Sequence, residues 1–525
     1  MTTNTNTNTE VLIIGAGPTG MTLALWLTRL GVACRIVDKA AGPGETSRAL
    51  AVQARTLEFH RQIGLADDVI AAGVKIEQLS IRTPRKIAAA LKLAKFGEGL
   101  SKYPFAFALP QDVHERVMLE HLVKNGVSVE RRTELAGFTQ DADGVTATLC
   151  KGTGSETVRA KFLVGCDGAH SAVRHGLNLA FPGGAYDQSF YVADVQGEGE
   201  YTKNGMDVAI DAYGFAITMP VRQFGSLRLI GVVPEAHEKD EAITFEALRG
   251  DIEKATGITV KALNWFSTYR VHHRVAEKFR VGRVFVAGDA GHIHSPAGGQ
   301  GMNTGIGDAV NLSWKLAAVL QGRADLKLLD TYEIERLSFA RLLIKSTDQA
   351  FKLITGRTAL SRIWRKHVMP RFASLVVENP RGARIFFKLV SQTRINYRDS
   401  AASDGRVGKV RAGDRLPYAA NGANDNFAPL SALDWQVHVY GVVGEAFRRS
   451  LAATGIQINA FAWSDATKAA GLKRDAAYLV RPDGHVALAT RGQDAAAFVS
   501  YVARHKLKAR QAAVESRYRK LALAS

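Results

Sequence analysis

The stretch EVLIIGAGPTGMTLALWLTRLGVACRIVDK, residues 10–39, constrains the fold more than any other part of the chain. Val11 to Ile14 make an unbroken apolar run, suited to a strand buried on both faces. Gly15, Gly17 and Gly20 follow in GxGxxG spacing, and Met21, Leu23, Ala24, Leu25 and Leu27 give the next segment a helical apolar stretch. Cys34 to Val37 read as a second strand ending at Asp38, eighteen residues beyond the third glycine. Each glycine meets a separate demand: a tight turn at Gly15, close approach of a pyrophosphate at Gly17, and close packing of helix on strand at Gly20. The helix start offers free N–H groups and a positive dipole end to phosphates, and Asp38 is placed to accept hydrogen bonds from an adenosine ribose. Strand, glycines, helix, strand and acid in register predict a dinucleotide site on an α/β framework.

Two later segments repeat the design of a strand that ends in Asp-Gly or Gly-Asp. In FLVGCDGAHSAVR, residues 162–174, Asp167 can cap a helix or orient a phosphate-binding region, and Gly168 supplies the turn. Alone, this pattern is equally a common helix N-cap. In VFVAGDAGHIHSPAGGQGMNTGIGDAVNLSWKL, residues 284–316, an apolar strand ends in Gly288-Asp289, a glycine-rich loop follows, and a long helix starts near Met302. His292 and His294 lack a third ligand at suitable spacing, so no metal site is expected. His272 and His273 read as structural or surface residues.

Taken together, GAGPTG, CDGAHSAVR and GRVFVAGDAGHIHSPAGGQGMNTGIGDAVNLSWKLA resemble, in order and spacing, the single-component FAD-dependent aromatic hydroxylases, the family of para-hydroxybenzoate hydroxylase and phenol hydroxylase. The resemblance runs over roughly residues 8–400. It implies a Rossmann-like FAD-binding domain interrupted by a β-sheet substrate domain. It places Gly15, Ala16, Gly17, Pro18, Thr19 and Gly20 at the FAD pyrophosphate, and Asp38 with Lys39 at the adenosine ribose. Many relatives carry Glu at the position of Asp38. SRALAVQARTLE puts Arg48 close to the cofactor, and LPQDVHERVMLEHL gives Gln111 a FAD contact. Asp167 belongs to the motif tied to both FAD and pyridine nucleotide, and Gly288 with Asp289 to the one holding the ribityl-pyrophosphate region. Pro296, Gly299, Gly301, Met302 and Asn303 match the loop beside the isoalloxazine ring. Pro296 is the residue assigned to the catalytic pocket, as a shaping group and not as a proton donor.

The activity implied is hydroxylation of a small aromatic substrate, phenolic or polyketide-like, with O2 and a transient NADPH or NADH, through a flavin hydroperoxide kept from water. The helix near Met302 would aim its dipole at the negative edge of reduced flavin. No residue is identified as the base for a phenol proton. A FAD-dependent oxidase or dehydrogenase is the alternative enzyme. A flavin halogenase is disfavoured by the lack of a WxWxIP-like segment. A flavin-bearing scaffold with a basic tail on membrane or nucleic acid would bind in a salt-dependent way.

Composition sets the remaining bounds. A length of 525 residues suggests two to four domains. The excess of 68 Lys+Arg over 50 Asp+Glu, +18, attracts anions without choosing among them, and no nucleic-acid partner is expected. Cys34, Cys150 and Cys166 form no CxxC or metal spacing, which suits a cytoplasmic protein. No run approaches the ~18 apolar residues of a transmembrane segment. The expected organisation is a disordered leader at 1–9, a FAD-binding domain at 10–180 and 276–340, and a substrate domain at 181–275. A helical segment at 341–405, broken at Pro370 and Pro380, a linker at 406–430, a thioredoxin-like domain at 431–505 and a basic tail at 506–525 follow. Tyr213, Phe215, Met219 and Arg228 are candidate pocket residues, although ordinary sheet positions are the commoner role. YLVRPDGHVA, turning at Pro482-Asp483-Gly484, resembles the C-terminal thioredoxin-like domain of the phenol hydroxylase branch. Without CxxC it cannot exchange dithiols, so packing or homodimer contact is its expected role.

Overall fold

The computed structural model describes residues 7–44, 49–83, 86–199, 201, 205–210, 214–221, 226–237, 243–295, 297–355, 358, 361, 363–364, 368–369 and 379–510. Its first sheet is built around the strand Thr7–Ile14, which pairs in parallel with Gly154–Gly165 on one side and Cys34–Asp38 on the other. Val284–Val286 and Val129–Arg131 extend the parallel set outward. Val11, Leu12 and Ile13 are fully buried, as an apolar run without alternation requires. The strand starts at Thr7, inside the expected leader, because its first half has Val158–Ala160 to pair with. The helix Pro18–Arg29 buries every residue from Gly20 to Thr28 and packs on the helix Gly301–Leu320. The chain leaves the central strand in one direction and returns on the other side, which opens a crevice at the carboxyl ends of the strands.

The second sheet runs in the order His292–Ile293, Ile258–Val275, Gly183–Gly199, Ser226–Val232, Phe215–Pro220, Gly205–Ile210, Gln78–Thr83 and Lys86–Lys92. The expected substrate region therefore recruits two strands from residues 78–92 and one from the glycine-rich segment. The short strand His292–Ile293 pairs with Arg274 and Val275, which ties the glycine-rich loop to the sheet edge. Phe215 packs on Phe190, and Met219 is half-buried. Arg228 is committed to Asp194 through two hydrogen bonds of 2.6 and 2.7 Å. Tyr213 lies outside the described residues.

Asp330–Thr355 is one long helix, and Pro380 begins the helix Pro380–Val390 where a break was expected. Proline at the first helical position gives up an N–H that would be unpaired anyway, and Asn379 caps the end by accepting from Arg381 N. Pro370 lies outside the described residues. The third sheet has the order Gln457–Phe461, Gln436–Tyr440, Ala477–Val480, Val486–Thr490, Asp404–Val407, Val410–Arg411. A parallel pair joined through Glu445–Ala452, an antiparallel hairpin and the final helix Ala495–Arg504 give the thioredoxin-like arrangement. Residues 406–430 are not a linker. Val407, Val410, Leu416, Phe427 and Leu430 are buried in a core shared with Tyr440 and Tyr478. Their apolar anchors are spaced among Gly, Asn and Ala, so average composition concealed them. Of the basic tail, 511–525 lies outside the described residues. Among the described residues no helix is long and apolar enough to cross a membrane.

Candidate active site

Four parallel strands end on the same side of the first sheet, at Ile14, Asp38, Gly165 and Val286. The acidic and glycine-rich motifs leave from these ends, so topology gathers segments almost 300 residues apart. Gly15 has φ +100°, and a Cβ there would strike the Cys166 carbonyl and Asp167. A Cβ on Gly20 would collide with the Gly15 carbonyl, whereas one on Gly17 would meet nothing within 4 Å. Two glycines thus serve packing and one faces open space. No side chain caps the helix that follows, and Pro18 stands in its first turn. Asp38 accepts from Ala16 N at 2.7 Å and from Ala40 N at 2.7 Å, so it shapes the glycine loop as well as ending the strand. Lys39 beside it is exposed. Arg131, paired across the sheet with Asp38, has a buried Nη2 with no hydrogen bond among the described residues. Gln111 donates to Glu115 at 2.8 Å, and burial raises the Glu115 carboxyl. Arg48 lies outside the described residues.

Ser171 holds the N-cap position of the helix Ala172–Gly176, accepting from Arg174 N at 2.9 Å, and Asp167 shares the helix start. Asp167 Oδ2 accepts from Val173 N at 3.2 Å, while its Oδ1 is buried with no partner among the described residues. Burial outweighs these hydrogen bonds and raises its carboxyl. Gly168, at φ +77°, again faces open space. Arg174 reaches across to the Ala290 carbonyl at 3.0 Å and joins this segment to the turn Gly288–Ala290.

That turn carries Asp289, whose side chain makes no hydrogen bond to the described residues and is exposed toward the crevice. The surrounding protein walls raise its carboxyl. Beneath it lies a buried network that sequence reasoning missed. Asp308 Oδ2 accepts from Gly288 N at 2.9 Å and pairs with His292 Nε2 at 2.7 Å. Its Oδ1 accepts from Arg336 Nε at 2.6 Å. Burial pushes the Asp308 carboxyl up, but Arg336 and His292 outweigh it and hold the group below its ordinary range. A Cβ on Gly288 or on Gly305 would run into the Thr19 hydroxyl, so the three segments meet there without side chains between them.

The helix Gly301–Leu320 begins beside this turn with no side-chain cap. Gly298 and Gly299 have φ of +75° and +62°, and Met302 is half-buried. Asn303 is fully occupied inside the protein: Oδ1 accepts from Gln53 N and Thr56 Oγ1 at 2.8 Å each, and Nδ2 donates to the Ala51 and Gly299 carbonyls. Its side chain therefore fixes the loop, leaving backbone N–H groups to face a ligand. Pro296 lies outside the described residues. His294 contacts the Ser295 carbonyl at 2.8 Å, and burial followed by His292 lowers the ring to about 4. Facing this loop from the substrate sheet, Tyr186 donates to Asp348 at 2.5 Å and lies beside Ser295. His273 packs against Tyr186 in a tilted contact with ring centroids 5.0 Å apart. No sequence motif marked Tyr186 or Asp348, which are 162 positions apart.

The residues fit an extended dinucleotide. Open backbone at Gly17 and Gly168, an unpaired exposed carboxylate at Asp289 and two uncapped helix starts line one crevice. Residues 8–347 match the family described as FAD binding domain. The chain is 38% identical over 360 residues to 6-methylpretetramide 4-monooxygenase of Streptomyces rimosus, covering 67% of this chain and 64% of that relative. It is 32% identical to pentachlorophenol 4-monooxygenase of Sphingobium chlorophenolicum, covering 78% and 75%. The structure of the anhydrotetracycline hydroxylase OxyS from Streptomyces rimosus superposes with a TM-score of 0.75 at 27% identity, over 94% of this chain and 98% of that one.

Proposed function

The chain belongs to the FAD-binding-domain family of flavin-dependent aromatic monooxygenases, and from that membership we propose that it hydroxylates a phenolic or polyketide-like ring with NADPH or NADH and O2. The observation that carries the reading is the convergence of the Gly15–Gly20 loop, the Asp289 turn and the start of the Gly301–Leu320 helix, with the turn tied through His292–Ile293 to the edge of the second sheet. Bound there, FAD would pass electrons from the nicotinamide to oxygen.

The protein's own work is binding, orientation and exclusion of water. Gly17 gives the pyrophosphate its approach, and Asp38 the ribose its acceptor. Asp289 would hold the ribityl chain, while the uncapped helix start offers N–H groups and a positive dipole end to developing negative charge. His294, held neutral by burial, adds no competing charge at that edge. On the substrate side, we assign Tyr186, which donates to Asp348 at 2.5 Å, the role of accepting a phenol's proton as it passes its own to that carboxylate. The three free cysteines accord with a cytoplasmic setting.

The test is a panel of phenols, hydroxylated aromatic acids and polyketide-like rings, scored by nicotinamide consumption and product mass. Substrate-stimulated oxidation with one atom of labelled O2 in the product is expected. Products that gain no oxygen would return the enzyme to the oxidase or dehydrogenase class.

A further inference from the structure

Turns run over protein surfaces as a rule, because their backbone polar groups need water. The turn from Arg481 to His485, in the hairpin of the C-terminal domain, is buried: Arg481, Asp483 and His485 are 0%, 1% and 2% exposed. Its partners belong to the FAD-binding side of the molecule. Glu335 accepts twice from Arg481, at 2.8 and 2.9 Å, and once from Lys315 at 2.8 Å. Trp314 Nε1 donates to Asp483 at 3.3 Å, and Arg55 Nη2 donates to the Asp483 carbonyl at 2.6 Å.

Two short paths lead from this turn to the crevice. In the first, His485 packs on Tyr397 in a tilted ring contact with centroids 4.3 Å apart, and the Tyr397 hydroxyl accepts from Arg336 at 2.9 Å. Arg336 holds Asp308, which receives the Gly288 N–H beside Asp289. In the second, Arg55 belongs to the helix Ala54–Gln62, whose start, through Gln53 N and Thr56 Oγ1, donates to Asn303. Both cofactor-facing segments are thereby tied to one turn in another domain.

Charge burial on this scale is weakly explained by stability alone. Apolar residues of similar volume commonly do as well, because the desolvation cost consumes most of the Coulombic gain. What charges and forked guanidinium groups add is one defined geometry. Building on the proposed function, we propose that the Arg481–His485 turn is a positioning element for the flavin site: it fixes the Gly288–Ala290 turn through Tyr397 and Arg336, and the start of the Gly301–Leu320 helix through Arg55. The C-terminal domain is then a working part of the cofactor site, although none of its described residues belongs to the glycine loop, the Asp289 turn or the start of the Gly301–Leu320 helix.

The test uses the full-length protein, stripped of flavin and titrated with FAD. Asp483→Asn keeps the shape of the turn and removes its charge, while Tyr397→Phe removes only the hydroxyl that receives Arg336. Both are expected to weaken FAD binding by about tenfold and to change the visible circular dichroism of the bound flavin. Asp404→Asn, at the exposed Asp404–Arg504 pair of the same domain, should leave both unchanged. If the first two variants lower the melting temperature of the apoprotein while FAD affinity and flavin dichroism stay at wild-type values, the turn is merely structural and the proposal falls. Should Asp483→Asn fail to fold, Tyr397→Phe alone decides by the same criteria. A wild-type protein that binds no FAD would overturn the functional reading first, and the positioning role with it.

Discussion

Gly20 and Gly301 differ in what an added side chain would meet. At Gly20 the obstacle is the protein's own backbone; at Gly301 the nearest protein atom to a Cβ is His294, 4.0 Å away. Gly20→Ala should therefore abolish the folded, soluble protein. Gly301→Val should leave the melting temperature of the apoprotein within a few degrees while FAD binding, followed by flavin fluorescence, weakens at least about tenfold. Asp289→Ala separates binding from folding in the same way, because the carboxylate makes no hydrogen bond to the described residues. The variant should purify folded with much less than one flavin per chain, and stoichiometric flavin would count against the assignment. Tyr186→Phe should cut kcat with a phenolic substrate by about a hundredfold and move the pH profile of kcat/KM upward. An unchanged profile would remove Tyr186 from proton transfer.

At the level of elements, the glycine-rich segments hold position because buried side chains fasten them at known points. Asn303 makes four hydrogen bonds to two separate stretches of chain, residues 51–56 and Gly299, and Asn303→Ala should cost about 2–4 kcal/mol of stability in denaturant unfolding. The sequence made the first strand, its helix and the three strand-end acids legible because each demand is local: an apolar run, a glycine spacing, an acid at a fixed offset. Asp308 and Arg336 were not legible, since 28 positions and no motif separate the partners. The strands at 78–92 escaped notice for a related reason: KIAAALK has little alternation, and its pairing partner is residues 205–210 only through Gln78–Thr83. In 406–430, glycines and asparagines marked turns correctly, but turns between short strands look like a linker until the sheet that receives them is known.

For the whole molecule, the buried histidines set the response to acid. His60 and His114 face each other at 2.9 Å in the interior, and burial lowers both, His114 to about 4. Burial also lowers His438 to about 3 and His485 to about 4, the latter despite Asp483 alongside. A depressed histidine is neutral in the folded state while the unfolded chain takes up its proton near 6.5. Stability from these groups is therefore present in full above about pH 6.5 and is lost as pH falls from there toward about 4. The depressed carboxylates of Asp308, Glu335 and Asp483 add to the loss only in more acidic solution, below about pH 4. Denaturant midpoints measured from pH 7 to 4 should fall steeply across that window, and His114→Gln should make the fall shallower; a flat profile would mean these rings titrate freely.

The second sheet is fastened at one edge and open at the other. Its His292–Ile293 edge is continuous with the glycine-rich loop, while the opposite edge, Lys86–Lys92, ends seven strands away. On the proposed function, substitutions at the far edge would reshape the sheet's contribution to the substrate pocket while leaving the Arg274–Ile293 and Val275–His292 pairing at the near edge intact.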